Sequence, residues 1–429
     1  MRNMNGIFRA LFRALALGAS LLSCLLSCGL PGKAAGNRAS DGLENRALDR
    51  LGNEVTLTLG DERFEEYVPR LKNKRVAVFS NHTGIVGNKV TDNGLGPHVV
   101  DALIEKGVDV RLIFSPEHGF RGDADAGEMV ENGKDPKTGV EIVSLFGALK
   151  HPRPEDMAKF DVLLVDIQDV GLRYYTYYIT MSHLMESCAV SGKKVIVLDR
   201  PNPNGFYVDG PVLEPEYKSG VGTIPVPTVH GMTLGELALM INGEGWLEGG
   251  VKCDLDVVPC QGYTHQTKTE LIVPPSPNLK SMRAIYLYSS TCYFEGTVMS
   301  LGRGTDAPFE IFGHPGMPVT SPYSFTPRSV PGAKNPPLKD QLCYGYDLRE
   351  VPMETIWEKE VDLEYVITAF KGLGIGERFF SSFFDKLAGT GYVREMILKG
   401  ASADEIKARW KDDVEAFKNL RRKYLLYPE

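Results

Sequence analysis

Four short apolar runs, rich in β-branched residues, punctuate the first half of the chain. They lie at 75–80 (Arg-Val-Ala-Val-Phe-Ser), 108–114 (Val-Asp-Val-Arg-Leu-Ile-Phe), 161–166 (Asp-Val-Leu-Leu-Val-Asp) and 194–199 (Lys-Val-Ile-Val-Leu-Asp). They are mostly unalternated, the pattern of strands buried on both faces of a parallel sheet. Helical spacing at 98–106 precedes the second run and at 174–191 precedes the fourth, so the alternation predicts a doubly wound sheet. The interval 115–160 is too long for one crossover and predicts an added strand at 140–145 with a functional loop. Beyond about residue 220 the texture changes. A helix is predicted at 233–242, with Thr233 as N-cap and Glu236 completing a capping box. Pro-rich passages at 273–277 and 308–336 follow, then helical patterns at 377–387 and 403–424. The expected fold class is α/β: a Rossmann-like parallel-sheet domain over 54–220, followed by a smaller α+β domain over 221–429.

The first residues follow another pattern. Residues 1–13 carry Arg2, Arg9 and Arg13 without an acid, and 14–27 is an apolar, small-residue run too short to span as a stable membrane helix. It contains two Leu-Leu-Ser-Cys tetrads, ending at Cys24 and Cys28, which resemble the bacterial lipoprotein signal. Cleavage before Cys24 leaves only ten positions after Arg13 for the apolar run, so Cys28 is the expected lipidation site. An ordinary secretory signal is the alternative. Residues 1–27 then read as a signal peptide and 28–53 as a tether rich in Gly, Ala, Asn and Arg. The expected location is a bacterial membrane-anchored lipoprotein, periplasmic or on the cell surface, which argues against NAD or ATP as cofactors.

Composition narrows the partners. With 48 Lys+Arg against 55 Asp+Glu the net charge is −7, which argues against a nucleic-acid backbone as partner. The seven cysteines are too few for a disulfide scaffold and lack paired Cys-x-x-Cys spacing. Neither Gly-x-Gly-x-x-Gly nor a P-loop is present, nor His-Glu-x-x-His, nor a Gly-x-Ser-x-Gly elbow. Asp123, Asp125 and Glu128 form only part of a calcium-loop pattern and read as an acidic surface loop. No metal or other cofactor is expected.

What remains is carboxylate chemistry on loops that follow the strands. In an open parallel sheet these loops share one edge, where ligands bind. The first strand leads into Asn81-His-Thr-Gly and the second into Ser-Pro-Glu-His-Gly-Phe-Arg-Gly at 115–122. The third leads into Gln168-Asp-Val-Gly with Arg173 and Tyr175 beyond, and the fourth into Asp-Arg-Pro-Asn-Pro-Asn-Gly at 199–205. Glu117 lies between Pro116 and Gly119, with His118 and Arg121 close enough in sequence to tune its acidity. A carboxyl group so placed can protonate a leaving oxygen, as a glycosidase acid does; a loop Glu paired with Arg121 is the plainer reading. His118 could equally be a structural hydrogen-bonding residue. Arg173 and Arg303 could bind a substrate carboxylate bidentately, although most arginines only form ion pairs. Asn202 and Asn204 could bind hydroxyl or acetamido groups, or simply shape a turn. The tyrosines of 174–178 suit core packing or sugar stacking.

These segments resemble the bacterial peptidoglycan exo-β-N-acetylmuramidases, a family once known only as a domain of unknown function. The matching runs are Ser-Asn-His-Thr-Gly at 80–84, the 115–122 run, and Asp-Ile-Gln-Asp-Val-Gly-Leu-Arg-Tyr-Tyr-Thr-Tyr at 166–177. They continue with Leu-Asp-Arg-Pro-Asn-Pro-Asn at 198–204, His-Gly-Met-Thr-Leu-Gly-Glu-Leu at 230–237 and Pro-Ser-Pro-Asn at 275–278. Glu-Gly-Thr at 295–297 and Gly-Arg-Gly-Thr at 302–305 complete the series, in family order across roughly 60–429. The chain departs from the family pattern at 271–273 and Lys280, around the Pro-Ser-Pro-Asn run, and at Val229, where the family carries an Arg; these changes bear on subsite detail.

The resemblance implies release of N-acetylmuramic acid from non-reducing ends of peptidoglycan fragments, in a cleft between the two domains. It places the catalytic Glu at Glu117, with His118 beside it. The substrate-binding candidates are Asn81, Arg121, Gln168, Asp169, Arg173, Tyr175, Asn202, His230, Glu295 and Arg303. Asp169 or Glu295 could be the second catalytic carboxylate, or the sugar's own acetamido group could attack. Arg173 and Arg303 are the expected partners of the lactyl carboxylate. The partners expected are a peptidoglycan-derived sugar or muropeptide and, through the lipid anchor, the membrane. A non-catalytic muropeptide-binding lipoprotein and an exported esterase or amidase are the rival readings.

Overall fold

Alternate residues of the predicted strands point to opposite faces of one sheet, and both faces are buried. In the computed structural model, which describes residues 47–49, 52–92, 94–117, 119–120, 132–147 and 149–429, the strands are β1 (Arg75–Phe79), β2 (Asp109–Ser115), β3 (Gly133–Lys134), β4 (Glu141–Ser144), β5 (Val162–Val165), β6 (Lys194–Leu198) and β7 (Asp254–Val258). The spatial order is β7-β6-β5-β1-β2-β4-β3, parallel throughout except for the β3–β4 pair. The signal peptide, Cys28, nearly all of the tether, His118 and Arg121 fall outside the described residues.

Val76, Val78, Ile113, Leu164 and Ile196 face the layer formed by α1 (Val99–Glu105) and the segment around Tyr67 and Leu71. Ala77, Phe79, Phe114, Leu163, Val165 and Val197 face the other layer, with α2 (Tyr177–Val190) and α3 (Leu234–Glu244). Each large aliphatic side chain buried this way contributes about 1.5–3 kcal/mol relative to exposure. Thr233 caps α3 and Glu236 closes the capping box, as the sequence predicts.

Two expectations need correction. The sheet does not end at residue 220, because β7 pairs with β6 in parallel across five residues. Its Asp254 and Asp256 sit on a sheet edge and pair with Lys194; an edge strand tolerates the charge that disguised it. The helix predicted at 377–387 is broken: Phe380 is extended, and the 379–381 backbone bonds to Gly296 and Val298 before α5 (Phe383–Ala388) starts. The C-terminal part also holds α4 (Met282–Thr291), a small antiparallel sheet of β8 (Ile311–His314), β9 (Tyr323–Phe325) and β10 (Cys343–Asp347), and α6 (Ala403–Arg421). Its helices share the core that covers one face of the main sheet. No described helix is long and apolar enough to cross a membrane. Cys188, Cys253, Cys260, Cys292 and Cys343 are all unbridged and buried.

Candidate active site

The loops after β1, β2, β5 and β6 share the carboxyl edge of the sheet, but their polar groups divide into two sets. One set is sealed. Asp166 follows β5 directly and Arg200 follows β6; Arg200 reaches Asp166 (Nε–Oδ1, 2.7 Å) and Asp61 (Nη2–Oδ2, 2.7 Å). All three side chains are at most 1% exposed. Burial pushes the Asp61 carboxyl up to about 7 against the pull of Arg200. This triad fills the point between β1 and β5 where the strand order reverses, the usual ligand crevice of such sheets.

Several predicted binding residues belong to the same sealed layer. Asn81 donates from Nδ2 to the Tyr177 hydroxyl (2.9 Å), and its Oδ1 accepts from the Thr83 hydroxyl and amide. Gln168 donates to the carbonyls of Asp169 and Pro201. Asn202 donates to the Met232 carbonyl and accepts from the Asn204 amide, which makes it a turn residue. It packs so closely on Gly171 that a Cβ there would lie 2.2 Å from its amide, and Gly171 also has φ +76°. His230 is 1% exposed, accepts from the Met232 amide and is pushed down to about 3 by burial and then by Arg421 and Arg173.

Arg173 is likewise no carboxylate receptor. Its guanidinium is fully buried and donates to four carbonyls: Pro211 (2.6 Å), Val226 (2.9 Å), Leu387 (2.9 Å) and Ala388 (2.8 Å). It ties the main-sheet region to the end of α5.

The second set opens on a cavity of about 790 Å³, within the range of small-molecule sites. Glu117, two residues past the end of β2, is half-buried on its wall. Glu295 and Arg303 line the same cavity, and Arg303 donates twice to Glu295 Oε1 (Nη2 2.6 Å, Nε 3.2 Å). Burial works against the Arg303 charge, but Glu295 outweighs it and holds the guanidinium protonated. The Arg303 Cζ lies 5.0 Å from the centre of the Phe309 ring, which limits its directions of approach.

Tyr174, Tyr175, Thr176 and Tyr177 line the same cavity where the chain enters α2. The Tyr175 hydroxyl donates to the Pro275 carbonyl (2.6 Å), and the Tyr177 hydroxyl lies 3.1 Å from the same oxygen. These tyrosines thus hold the 275–278 loop in place while their rings form wall. Asn278 is on the wall too and donates to the Gly332 carbonyl. Asp169 is not among the lining residues. Its Oδ1 accepts from the Gly171 amide (2.6 Å), its Oδ2 is buried without a partner, and burial pushes it up to about 7. Of the described candidates the cavity therefore gathers Glu117, Tyr175, Glu295 and Arg303.

Sequence reasoning missed Tyr288, Lys334 and Asn335, which also line the cavity. Tyr288 sits on α4 among core residues, and Lys334 and Asn335 lie in the Pro-rich passage read as a connection; neither pattern signals a ligand.

Two carboxylates and a cation lining one cavity, walled by aromatic rings, suit a charged sugar. Sequence-family comparison matches 76–283 to the N-terminal region of exo-β-N-acetylmuramidase NamZ and 286–427 to its C-terminal region. The chain belongs to the NamZ family. It is 37% identical over 385 residues to the peptidoglycan β-N-acetylmuramidase NamZ of Bacillus subtilis (strain 168), covering 86% of this chain and 90% of that protein. Two solved structures of DUF1343 family proteins from Bacteroides fragilis NCTC 9343 share the fold. One has a TM-score of 0.80 at 56% identity, covering 87% of this chain and 99% of the other. The second has a TM-score of 0.73 at 28% identity, covering 87% and 100%. The N-terminal family match, 76–283, includes β7, which pairs in the main sheet.

Proposed function

We propose that this chain is a peptidoglycan glycoside hydrolase that releases β-linked N-acetylmuramic acid from non-reducing ends, with Glu117 as general acid. Membership of the NamZ family supports the reaction class. The observation that carries the residue assignment is that Glu117, Glu295 and Arg303 line one cavity. Glu117 in its acid form gives its proton to the glycosidic oxygen, so the leaving sugar departs as a neutral alcohol. The charge that develops on the muramyl ring is met either by Glu295, as base or nucleophile, or by the substrate's own acetamido oxygen. Among the described residues Arg303 is the predicted arginine that lines the cavity, and its charge-assisted hydrogen bonds suit the lactyl carboxylate that marks muramic acid among wall sugars.

Hydrolysis of one defined N-acetylmuramic-acid-terminated fragment, followed by mass spectrometry, tests the proposal. The expected product is free N-acetylmuramic acid, and Glu117→Gln lowers kcat by about 10²–10⁴-fold. Undiminished turnover in that variant removes Glu117 from the mechanism. Intact fragment with measurable affinity identifies a binding protein, and released acyl or peptide products an esterase or amidase.

The export reading rests on the N-terminal sequence alone. Cleavage before Cys28 followed by lipidation anchors the protein to the bacterial membrane. Expression of the precursor in a bacterial host with labelled palmitate yields a labelled protein, and Cys28→Ser abolishes the label. Equal labelling of both excludes this anchor.

A further inference from the structure

We propose that His151, His183 and Glu186 form a binding site for one late first-row divalent cation, Zn²⁺ foremost, away from the glycan cavity. His183 and Glu186 stand one turn apart on α2, so their side chains share a face of the helix. His151 comes from the segment after β4 and meets them there. One ligand atom from each of the three lies within 4.8 Å of both others, and the two imidazole centroids are 4.6 Å apart. A single cation placed among them is reached by all three with small rotations of partly buried side chains.

Two further observations point to a cation. Glu186 Oε1 accepts from the Glu248 amide (2.9 Å), but its Oε2 is buried with no hydrogen-bond donor. A buried carboxylate oxygen left this way is costly unless a positive charge completes it. The nearest candidate, His151 Nε2, stands 3.8 Å off, beyond a hydrogen bond and suited to sharing a metal. The far side of the same ring is also organised. His151 Nδ1 lies 3.5 Å from the Ser187 hydroxyl, which itself donates to the His183 carbonyl. That hydroxyl is left to accept, which favours hydrogen on Nδ1 and a lone pair on Nε2, the outer-shell arrangement of a ligating histidine.

Two imidazoles and one carboxylate suit Zn²⁺, Co²⁺, Ni²⁺ or Cu²⁺ in preference to Mg²⁺ or Ca²⁺, and three protein ligands leave a position for water. A recess of about 630 Å³, lined in part by His151, Pro152, Met157, Glu186 and Glu248, gives that position access. Lys150 opposes the cation weakly, as a like charge felt at His183. A bound cation would fasten the segment after β4 to α2, whose first turn carries Tyr177 of the glycan cavity. Its role is a strut, and it takes no part in glycoside cleavage.

Calorimetric titration of the purified, chelator-stripped protein with Zn²⁺, and absorption spectroscopy with Co²⁺, test the site. One equivalent binds, Co²⁺ gives the visible bands of a low-coordinate nitrogen–oxygen site, and Zn²⁺ raises the unfolding temperature. Mg²⁺ and Ca²⁺ do not compete. His151→Ala and His183→Gln each weaken Zn²⁺ binding by at least about tenfold, and His151→Ala, at a half-exposed position, keeps the fold and the muramidase rate. Absence of stoichiometric Zn²⁺ and Co²⁺ binding overturns the proposal, as does binding unchanged in His151→Ala. Neither result touches the role of Glu117, which is read by turnover alone.

Discussion

Arg173 and Arg303 place the same guanidinium in opposite surroundings. Arg173 is sealed, with its fork donating to four backbone carbonyls, of which only that of Val226 also accepts from a backbone amide, that of Leu213. A Cβ on Gly389 would lie 2.7 Å from it, so even the neighbouring backbone is shaped around the side chain. Arg303 is 21% exposed, shares one carboxylate oxygen of Glu295 and faces open space. The same contrast separates the Asp61–Arg200–Asp166 triad, sealed within the protein, from Glu117, half-buried on the lining of the cavity. A charged residue at the carboxyl edge of this sheet is architectural when it is sealed from solvent and bonded within the protein. It is available for chemistry only where solvent can still reach it.

The largest test of that contrast is Arg173→Met. It takes the guanidinium donor from the buried carbonyls of Pro211, Leu387 and Ala388 and lowers the unfolding free energy by on the order of 4 kcal/mol, measured by urea denaturation, while KM of the folded fraction barely moves. A normal unfolding free energy with a raised KM would make Arg173 a binding residue after all. Arg303→Met reverses the profile. KM for an N-acetylmuraminide rises about tenfold to a hundredfold, the worth of a charge-assisted hydrogen bond, with a small change in stability. The preference for N-acetylmuraminide over N-acetylglucosaminide shrinks with it, and an unchanged preference assigns the lactyl carboxylate elsewhere.

The smallest effect concerns Asp169. Its carboxyl is pushed from 3.8 up to about 7 by burial, so between about pH 4 and 7 the folded state holds a proton that the unfolded state has lost. Stability from this group is full below pH 4 and is lost as pH rises through 7. Asp169→Asn therefore flattens the decline of stability between pH 6 and pH 8, by about 1 kcal/mol, with Asp61 and Asp199 common to both proteins. Parallel pH profiles for variant and wild type would show that Asp169 is ionised throughout.

Much of the fold was legible because the main strands are buried on both faces. Continuous β-branched runs have few other uses, and the observed β1, β2, β5 and β6 end within a residue of the predicted limits. The strand at Asp254–Val258 was not legible, since an edge position lets Asp254 and Asp256 alternate with apolar residues and breaks the run. In the site, Glu117 could be placed from a strand end and its flanking Pro116 and Gly119. Asn81, Gln168 and Asn202 carry the same residue types as sugar ligands, yet their hydrogen bonds close on the protein, and His230 is buried away from the cavity lining. Tyr288 and Asn335 line the cavity through long-range packing that local pattern does not encode.

The sequence by itself determined the parallel sheet, the edge at which its loops gather, and the motif runs that mark a NamZ family member. Hydrophobic periodicity is local, and a motif is a local record. Tertiary structure alone decided which polar groups on that edge stay open. Whether a guanidinium meets carbonyls from residues 211, 226, 387 and 388 or an empty cavity depends on segments more than thirty residues away. Burial and pairing are properties of that assembly, and they separate Arg303 from Arg173.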